Sequence, residues 1–322
     1  MLRQTKVCRT AAHVNQFLSL PSFAKINWSL RILGKRPDNF HEVRTTLQTI
    51  SLHDRLNFEL SEDRHVTVSC NDPEIPTDEQ NLIVRAAHAL QDRYSISKGA
   101  RVQLEKSIPT QAGLGGGSSN AAVALLALAR LWQIEASANE LIEIAAALGA
   151  DVPFFLFGGC MLATGTGATL SPIPENGALN LIIIAPTASV STRNAYASLQ
   201  AAALTSDTTE FILSSSQKAA NSGDSLPWLR SDLKNDFESV IFDIYPEIRR
   251  AKEMLIAVGA KAALMTGSGS SVFGVFAHQK SRQRALEKIR CEAGWRIFPC
   301  ATVSRNEYRR AIGDELFRSY AL

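Results

Sequence analysis

The sequence predicts an α+β protein of two domains, and three observations carry that prediction. Its 322 residues are about twice the ~150 of an average domain. A strand-rich region comes first and helical patterns follow it, an order that fits α+β. Residues 164–177, rich in Gly and Pro, then interrupt the patterning and put a domain boundary within 165–180. The expected division is an N-terminal extension over 1–20, a first domain over 21–170 and a second over 171–322.

Residues 22–33 (SFAKINWSLRIL) alternate as a strand does, and 34–39 (GKRPDN) have turn chemistry. Residues 43–60 continue in a mixed strand pattern, with Leu47, Ile50, Leu52, Leu56, Phe58 and Leu60 as core positions. Short strands are expected at 66–69 and 100–106. Between them Leu82, Ile83, Ala86, Ala89 and Leu90 recur at helical spacing over 81–94. The next helix is expected to start at Ser118 or Ser119. Its run AAVALLALARLW is apolar on nearly every side, so it belongs in the core. Ser137 and Glu140 make a capping-box pattern for a helix that ends at Gly149. Residues 154–163 read as a strand bent at Gly158 and Gly159, 181–185 as a buried strand, and 207–227 as a mobile polar loop. A helix over 246–258 leads to residues 262–266 and then to GSGSSVFGVFA.

Composition narrows the function. A net charge of +3 is too small to mark a nucleic-acid surface, which shows as a concentrated basic face. No apolar run approaches the roughly 20 residues needed to span a bilayer. The five cysteines are scattered, with neither a Cys-x-x-Cys pair nor a Cys/His cluster, which indicates a reducing compartment without a zinc site or disulfide framework. Residues 1–20 carry Arg3, Lys6 and Arg9 and no acid, the first acid being Asp38. A short disordered extension of a cytoplasmic protein and a plastid transit peptide both fit that pattern.

Residues 108–120, IPTQAGLGGGSSN, form a glycine-rich stretch that opens a helix. Glycines let a backbone approach phosphate oxygens closely, and the first N–H groups of a helix lack intrahelical partners. Those donors and the helix dipole favour an anion. Pro109, Thr110, Gln111, Ala112, Gly113, Leu114, Gly115, Gly116, Gly117, Ser118 and Ser119 are therefore the candidate nucleotide-phosphate residues. A Walker A loop would need Gly-Lys-Ser/Thr at its end, and no such lysine is present. Gly113 and Gly115 begin a dinucleotide fingerprint, but position 118 is Ser and a strand-rich region precedes the loop. An NAD-dependent oxidoreductase is accordingly the weaker alternative.

Three separated segments, PSFAKINWSL (21–30), IPTQAGLGGGSSNAA and MTGSGSSVFG (265–274), together resemble the GHMP kinase superfamily of galactokinase, homoserine kinase, mevalonate kinase and phosphomevalonate kinase. GKRPDNFHEVRTTLQTISLHD and LGADVPFFLFGG are similar to the branch whose alcohol is a cytidine-diphosphate-linked methylerythritol, on the route to isoprenoid precursors. The resemblance implies an N-terminal domain like the second domain of ribosomal protein S5, a ferredoxin-like C-terminal domain, and ligands in the cleft between them. It implies that ATP, with Mg2+, phosphorylates the 2-hydroxyl of that alcohol.

By the same resemblance Asp151 is the general base, a role worth roughly 10²- to 10⁴-fold in rate, and Lys25 is its partner. At ~4 Å the lysine would stabilise the carboxylate by about 4 kcal/mol at an effective dielectric near 20. Taken alone, Asp151 also reads as a loop acid and Lys25 as a strand lysine reaching for solvent. Asn27 shares a strand face with Lys25 and would bond the polyol, or else cap a buried strand. Phe40 would stack on cytosine with Tyr196 opposite, His41 would bond the base edge and Thr192 would assist; Phe40 equally suits a turn aromatic on the core. Gly267 and Ser268 belong to a tight turn beside the substrate. Gln111 and Ala112 depart from the family loop, which often has a further glycine there, and no Glu is assignable as a magnesium ligand. Another GHMP kinase, of homoserine or mevalonate type, is the nearer alternative, although those substrates carry no cytosine for Phe40 and His41.

Overall fold

The computed structural model describes residues 16–175, 177–199 and 233–320. The loop expected over 207–227 and most of the extension expected over 1–20 lie outside them. What is described of the extension is ordered chain, because the first strand already starts at Phe17.

That strand, β1 (Phe17–Lys35), pairs antiparallel with β2 (His41–Ser61) to form the spine of a seven-stranded sheet. Residues 36–40 make the turn expected from GKRPDN, where Asn39 adopts positive φ. The far half of β2 pairs with β4 (Gly99–Glu105), which carries β3 (Val66–Cys70) at its outer side. The near half pairs with β5 (Cys160–Gly165), followed by β6 (Thr169–Pro172). Alternation along β1 decides what points where. Ala24, Ile26 and Trp28 enter a core facing the second sheet, whereas Lys25 and Asn27 line a cleft.

Helices α1 (Leu82–Tyr94), α2 (Gly116–Leu131) and α3 (Ala138–Leu148) cover the opposite side. The Ser137/Glu140 capping box forms as expected. α2 is buried on all sides, its Leu125, Leu126 and Leu128 fully so. Each such leucine stabilises the fold by about 1.5–3 kcal/mol. The helix begins two residues before the expected serines, since Gly116 and Gly117 already adopt helical geometry and supply its first turn. The bent strand expected over 154–163 is instead a one-turn helix, α4 (Phe154–Phe157), followed by Gly158, Gly159 and β5. An apolar run as short as FFLF does not distinguish helix from strand, and burial of Phe154, Phe155 and Leu156 holds the turn.

The second sheet is antiparallel, with β7 (Asn180–Ala185) and β10 (Val272–Phe276) at its centre and β11 (Arg296–Ala301) and β9 (Ala262–Met265) at its edges. Helices α6 (Glu238–Ile244), α7 (Pro246–Ala257) and α8 (Gln279–Lys288) pack with α5 (Thr192–Leu199) around a second core. None of the described helices is long and apolar enough to cross a membrane.

Two crossings qualify a division at residue 170. The two-residue strand β8 (Lys234–Asn235) returns to pair parallel with β1 at Ser29 and Leu30. At the other end, α9 (Arg305–Ile312) and α10 (Asp314–Ser319) place Tyr308, Ile312, Leu316 and Phe317 in the first core, not the second. Tyr308 packs directly against Gly158, where an added Cβ would lie 2.2 Å from its ring.

Candidate active site

The N-terminus of α2 is built for an anion. Gly115 precedes it at φ 71°, and no side chain caps the helix. A Cβ at Gly115 would lie 2.9 Å from the Phe155 ring and 3.0 Å from Lys25 Cγ, so only glycine lets the loop sit this close to β1. The loop is fastened from β1 as well, where Lys25 N–H donates to Leu114 O at 2.9 Å. Beneath it lies a buried support that sequence reasoning missed. Lys106 Nζ donates to Asp54 Oδ2 at 2.7 Å and to Ile108 O at 2.6 Å. Asp54, fully buried, also accepts from the backbone of Ser107 and Ile108 and from Asn120 Nδ2. Burial pulls Lys106 below its ordinary pKa while Asp54 opposes the shift. Neither residue belongs to a local pattern, because their meeting needs the register of β2 against β4.

One cleft of about 1650 Å³ contains the loop and nearly every expected site residue. Lys25, Asn27, Phe40, His41, Asp151, Thr192, Tyr196, Gly267 and Ser268 line it together with residues 109–118. Ser119 does not. Its side chain turns into the core and accepts a 2.7 Å bond from Ser22, since the helical turn rotates it away from Ser118.

Within the cleft, Lys25 Nζ lies 3.5 Å from Asp151 Oδ2. The lysine side chain is 4% exposed and the aspartate 41%. Water therefore screens the pair, and its net worth falls from the unscreened figure to about 1 kcal/mol or less. Chemically the asymmetry is useful: the cation is fixed by protein and the carboxylate opens on the cleft. Lys25 is held by Asn27, whose Oδ1 accepts from Nζ at 2.7 Å. That oxygen also accepts from Gly267 N–H at 2.9 Å, and Asn27 Nδ2 donates to Thr45 Oγ1 at 2.7 Å. The carboxamide expected to grip a polyol is thus already engaged by protein groups.

The turn at Gly267 is part of the same assembly. Asn235 Nδ2 lies 2.8 Å from both Met265 O and Gly267 O. An added Cβ at Gly113 would lie 2.1 Å from Thr266 O, so phosphate loop and turn interlock. A 3.0 Å hydrogen bond between Ser268 Oγ and Thr192 Oγ1, which either hydroxyl can donate, ties the turn to the start of α5.

Also lining the cleft, Tyr196 stacks on His41 with ring centroids 4.5 Å apart and planes at 22°. The expectation had Tyr196 facing Phe40. The difference comes from the backbone: β2 begins at His41, whereas Phe40 stays in the turn with its N–H on Asp38 and its ring 64% exposed. Burial, reinforced by Lys35, lowers the His41 pKa, which favours a neutral ring with one donor and one acceptor. Burial and the Asp151 charge push Tyr196 up to about 12. Gln111, the departure inside the loop, takes φ 51°, as a glycine would, and its side-chain oxygen accepts from Ser189 Oγ. Among the described residues no group of three or more His, Cys, Asp or Glu side chains is placed to hold a metal ion. The arrangement can hold a polyphosphate at α2, a planar ring at His41 and Tyr196, and a hydroxyl at Asp151 between them.

The chain resembles known kinases in sequence and in fold. Residues 81–159 match the family described as GHMP kinases N terminal domain, and residues 216–294 match GHMP kinases C terminal. A 4-diphosphocytidyl-2-C-methyl-D-erythritol kinase of Solibacter usitatus is 40% identical over 90% of this chain and 90% of its own length. One from Prosthecochloris aestuarii is 38% identical over 89% of this chain and 98% of its own. A crystal structure of 4-(cytidine 5'-diphospho)-2C-methyl-D-erythritol kinase superposes with a TM-score of 0.70 at 31% identity, covering 88% of this chain and 99% of that one. A homoserine kinase from Cytophaga hutchinsonii also reaches 0.70, at 19% identity over 92% and 98% of the two chains, and shares the fold.

Proposed function

The chain belongs to the 4-diphosphocytidyl-2-C-methyl-D-erythritol kinases, a branch of the GHMP kinases, and we propose that it transfers the γ-phosphoryl group of ATP to the 2-hydroxyl of that cytidyl alcohol. The alcohol oxygen attacks the γ-phosphorus, the bond to the β–γ bridging oxygen breaks, and ADP leaves. The alcohol's proton passes to Asp151. Lys25 holds the carboxylate and faces the negative charge carried by the transferring group. The observation that carries this reading is the 3.5 Å Lys25–Asp151 pair in one cleft that the glycine-rich loop and the stacked His41 and Tyr196 rings also line.

The loop over 109–118 would take the ATP phosphates on the free N–H groups of α2. Cytosine would be recognised by the rings of Phe40, His41 and Tyr196, each base–aromatic stack being worth about 1–3 kcal/mol. Thr192 and Ser268 offer hydroxyls beside it. A magnesium ion would fit an all-oxygen set of the Ser118 hydroxyl, the nucleotide phosphates and water, in keeping with the few protein ligands this ion usually takes. When bound it would neutralise phosphate charge.

The test is ADP release with the cytidyl alcohol, mevalonate and homoserine as separate acceptors. Turnover is expected with the first alone. Release only with mevalonate or homoserine would replace this reading by another GHMP kinase activity, and the stacked rings of His41 and Tyr196 would need a different purpose.

A further inference from the structure

Thr266 follows β9 directly and is fully buried, yet its hydroxyl is surrounded by groups that belong to the site. It accepts from Asn27 N–H at 3.1 Å. Its own proton has two acceptors in reach, Asn27 Oδ1 at 3.2 Å and Gly113 O at 3.3 Å. A carboxamide oxygen has two lone pairs, and shorter bonds from Lys25 Nζ at 2.7 Å and Gly267 N at 2.9 Å already approach Oδ1. The hydroxyl proton is therefore left for the Gly113 carbonyl. A relay results, running from the β1 backbone at Asn27 through Thr266 to the phosphate loop.

We propose that Thr266 is a positioning residue of phosphoryl transfer, fixing Asn27, and through it the Lys25 ammonium, at one distance from the phosphate loop. The inference rests on the reading of Lys25 as the partner of Asp151. Its chemical content is that a hydroxyl is needed at this position. Valine has nearly the same shape but can neither accept from Asn27 nor donate to Gly113. Serine can do both. Asn27 Oδ1 accepts from Lys25 Nζ at 2.7 Å, and the same Nζ lies 3.5 Å from Asp151, so a shift of Asn27 would move the ammonium relative to both the carboxylate and the loop.

Kinetics of Thr266→Ser, Thr266→Val, Lys25→Ala and the Lys25→Ala/Thr266→Val double variant test this, with melting curves recorded for each. Displacing a catalytic group by about 1 Å costs on the order of 100-fold in rate. Thr266→Val is therefore expected to lower kcat by about 10- to 100-fold while KM for ATP stays within roughly threefold. Thr266→Ser should restore kcat. In the Lys25→Ala background the valine should change kcat by less than about twofold, because a residue acting through Lys25 has nothing left to position. A full, independent loss in that background would overturn the proposal, as would wild-type kcat in Thr266→Val. If the valine variant does not fold, Thr266→Ala takes its place in the same cycle, and either of those two results would again overturn the proposal. Unchanged kcat in Lys25→Ala would instead overturn the parent reading.

Discussion

Asp151 is the residue proposed as the base, and its setting makes a separable prediction. The carboxylate is partly exposed at the cleft while its cationic partner is buried. Asp151→Asn keeps the shape but exchanges one acceptor oxygen for an NH2 donor, and it cannot take a proton at neutral pH. Turnover is expected to fall by roughly 10²- to 10⁴-fold with KM for either substrate changed by less than about threefold. Steady-state kinetics decide it; near-normal kcat would remove Asp151 from the role of base. Lys25 and Asp151 were legible in the sequence because each sits in a recognisable local segment. The duty of Asn27 was not. Its partners Thr45 and Gly267 lie 18 and 240 residues away, and only the folded register brings them to one carboxamide. Lys106 and Asp54 were hidden for the same reason, 52 residues apart.

At the scale of elements, the loop before α2 was readable from its glycines, but its constraints are set elsewhere. Gly113 has φ 74° and Thr266 O against the position a Cβ would take. Gly113→Ala combines a left-handed penalty of about 1–2 kcal/mol with an overpacking cost of about 1–3 kcal/mol. Denaturant unfolding should show a loss within the sum of those ranges, and titration with ATP should show weaker binding. A variant with unaltered stability and ATP affinity would mean that the interlock between loop and turn is not rigid. The misread stretch over 154–163 shows the limit of pattern alone. Four apolar residues have no period to measure, and the packing around α4 includes Tyr308, distant in sequence, against Gly158. Gln111 illustrates the converse. Its positive φ is legible as a departure, while the Ser189 hydroxyl that meets its side chain belongs to a loop before α5.

For the whole molecule, buried thiols tie stability to alkaline pH. Burial pushes Cys160 and Cys300, ordinarily near 9.0, up to about 12. Above pH 9 the unfolded chain releases these protons while the folded chain keeps them. The folded state then binds more protons, so stability falls as pH rises. The slope is at most about 1.4 kcal/mol per pH unit for each thiol. Urea midpoints between pH 9 and 10 should decline, and the Cys160→Ala/Cys300→Ala variant should decline less steeply. An identical slope in that variant would assign the loss to other groups.

The return of α9 and α10 to the first core also has a temporal meaning. A ribosome releases this chain from its N-terminus, so the spine formed by β1 and β2 emerges early. Its packing partners Tyr308 and Phe317 lie far downstream of both strands and are made after them. Until they arrive, Phe23 lacks the Tyr308 ring that lies 5.5 Å from it in the finished protein, and Gly158 lacks its cover. The first sheet can begin to form during synthesis, but its core closes only once α9 and α10 have been made. In the interval the nascent protein carries an apolar face that chaperones are suited to shield.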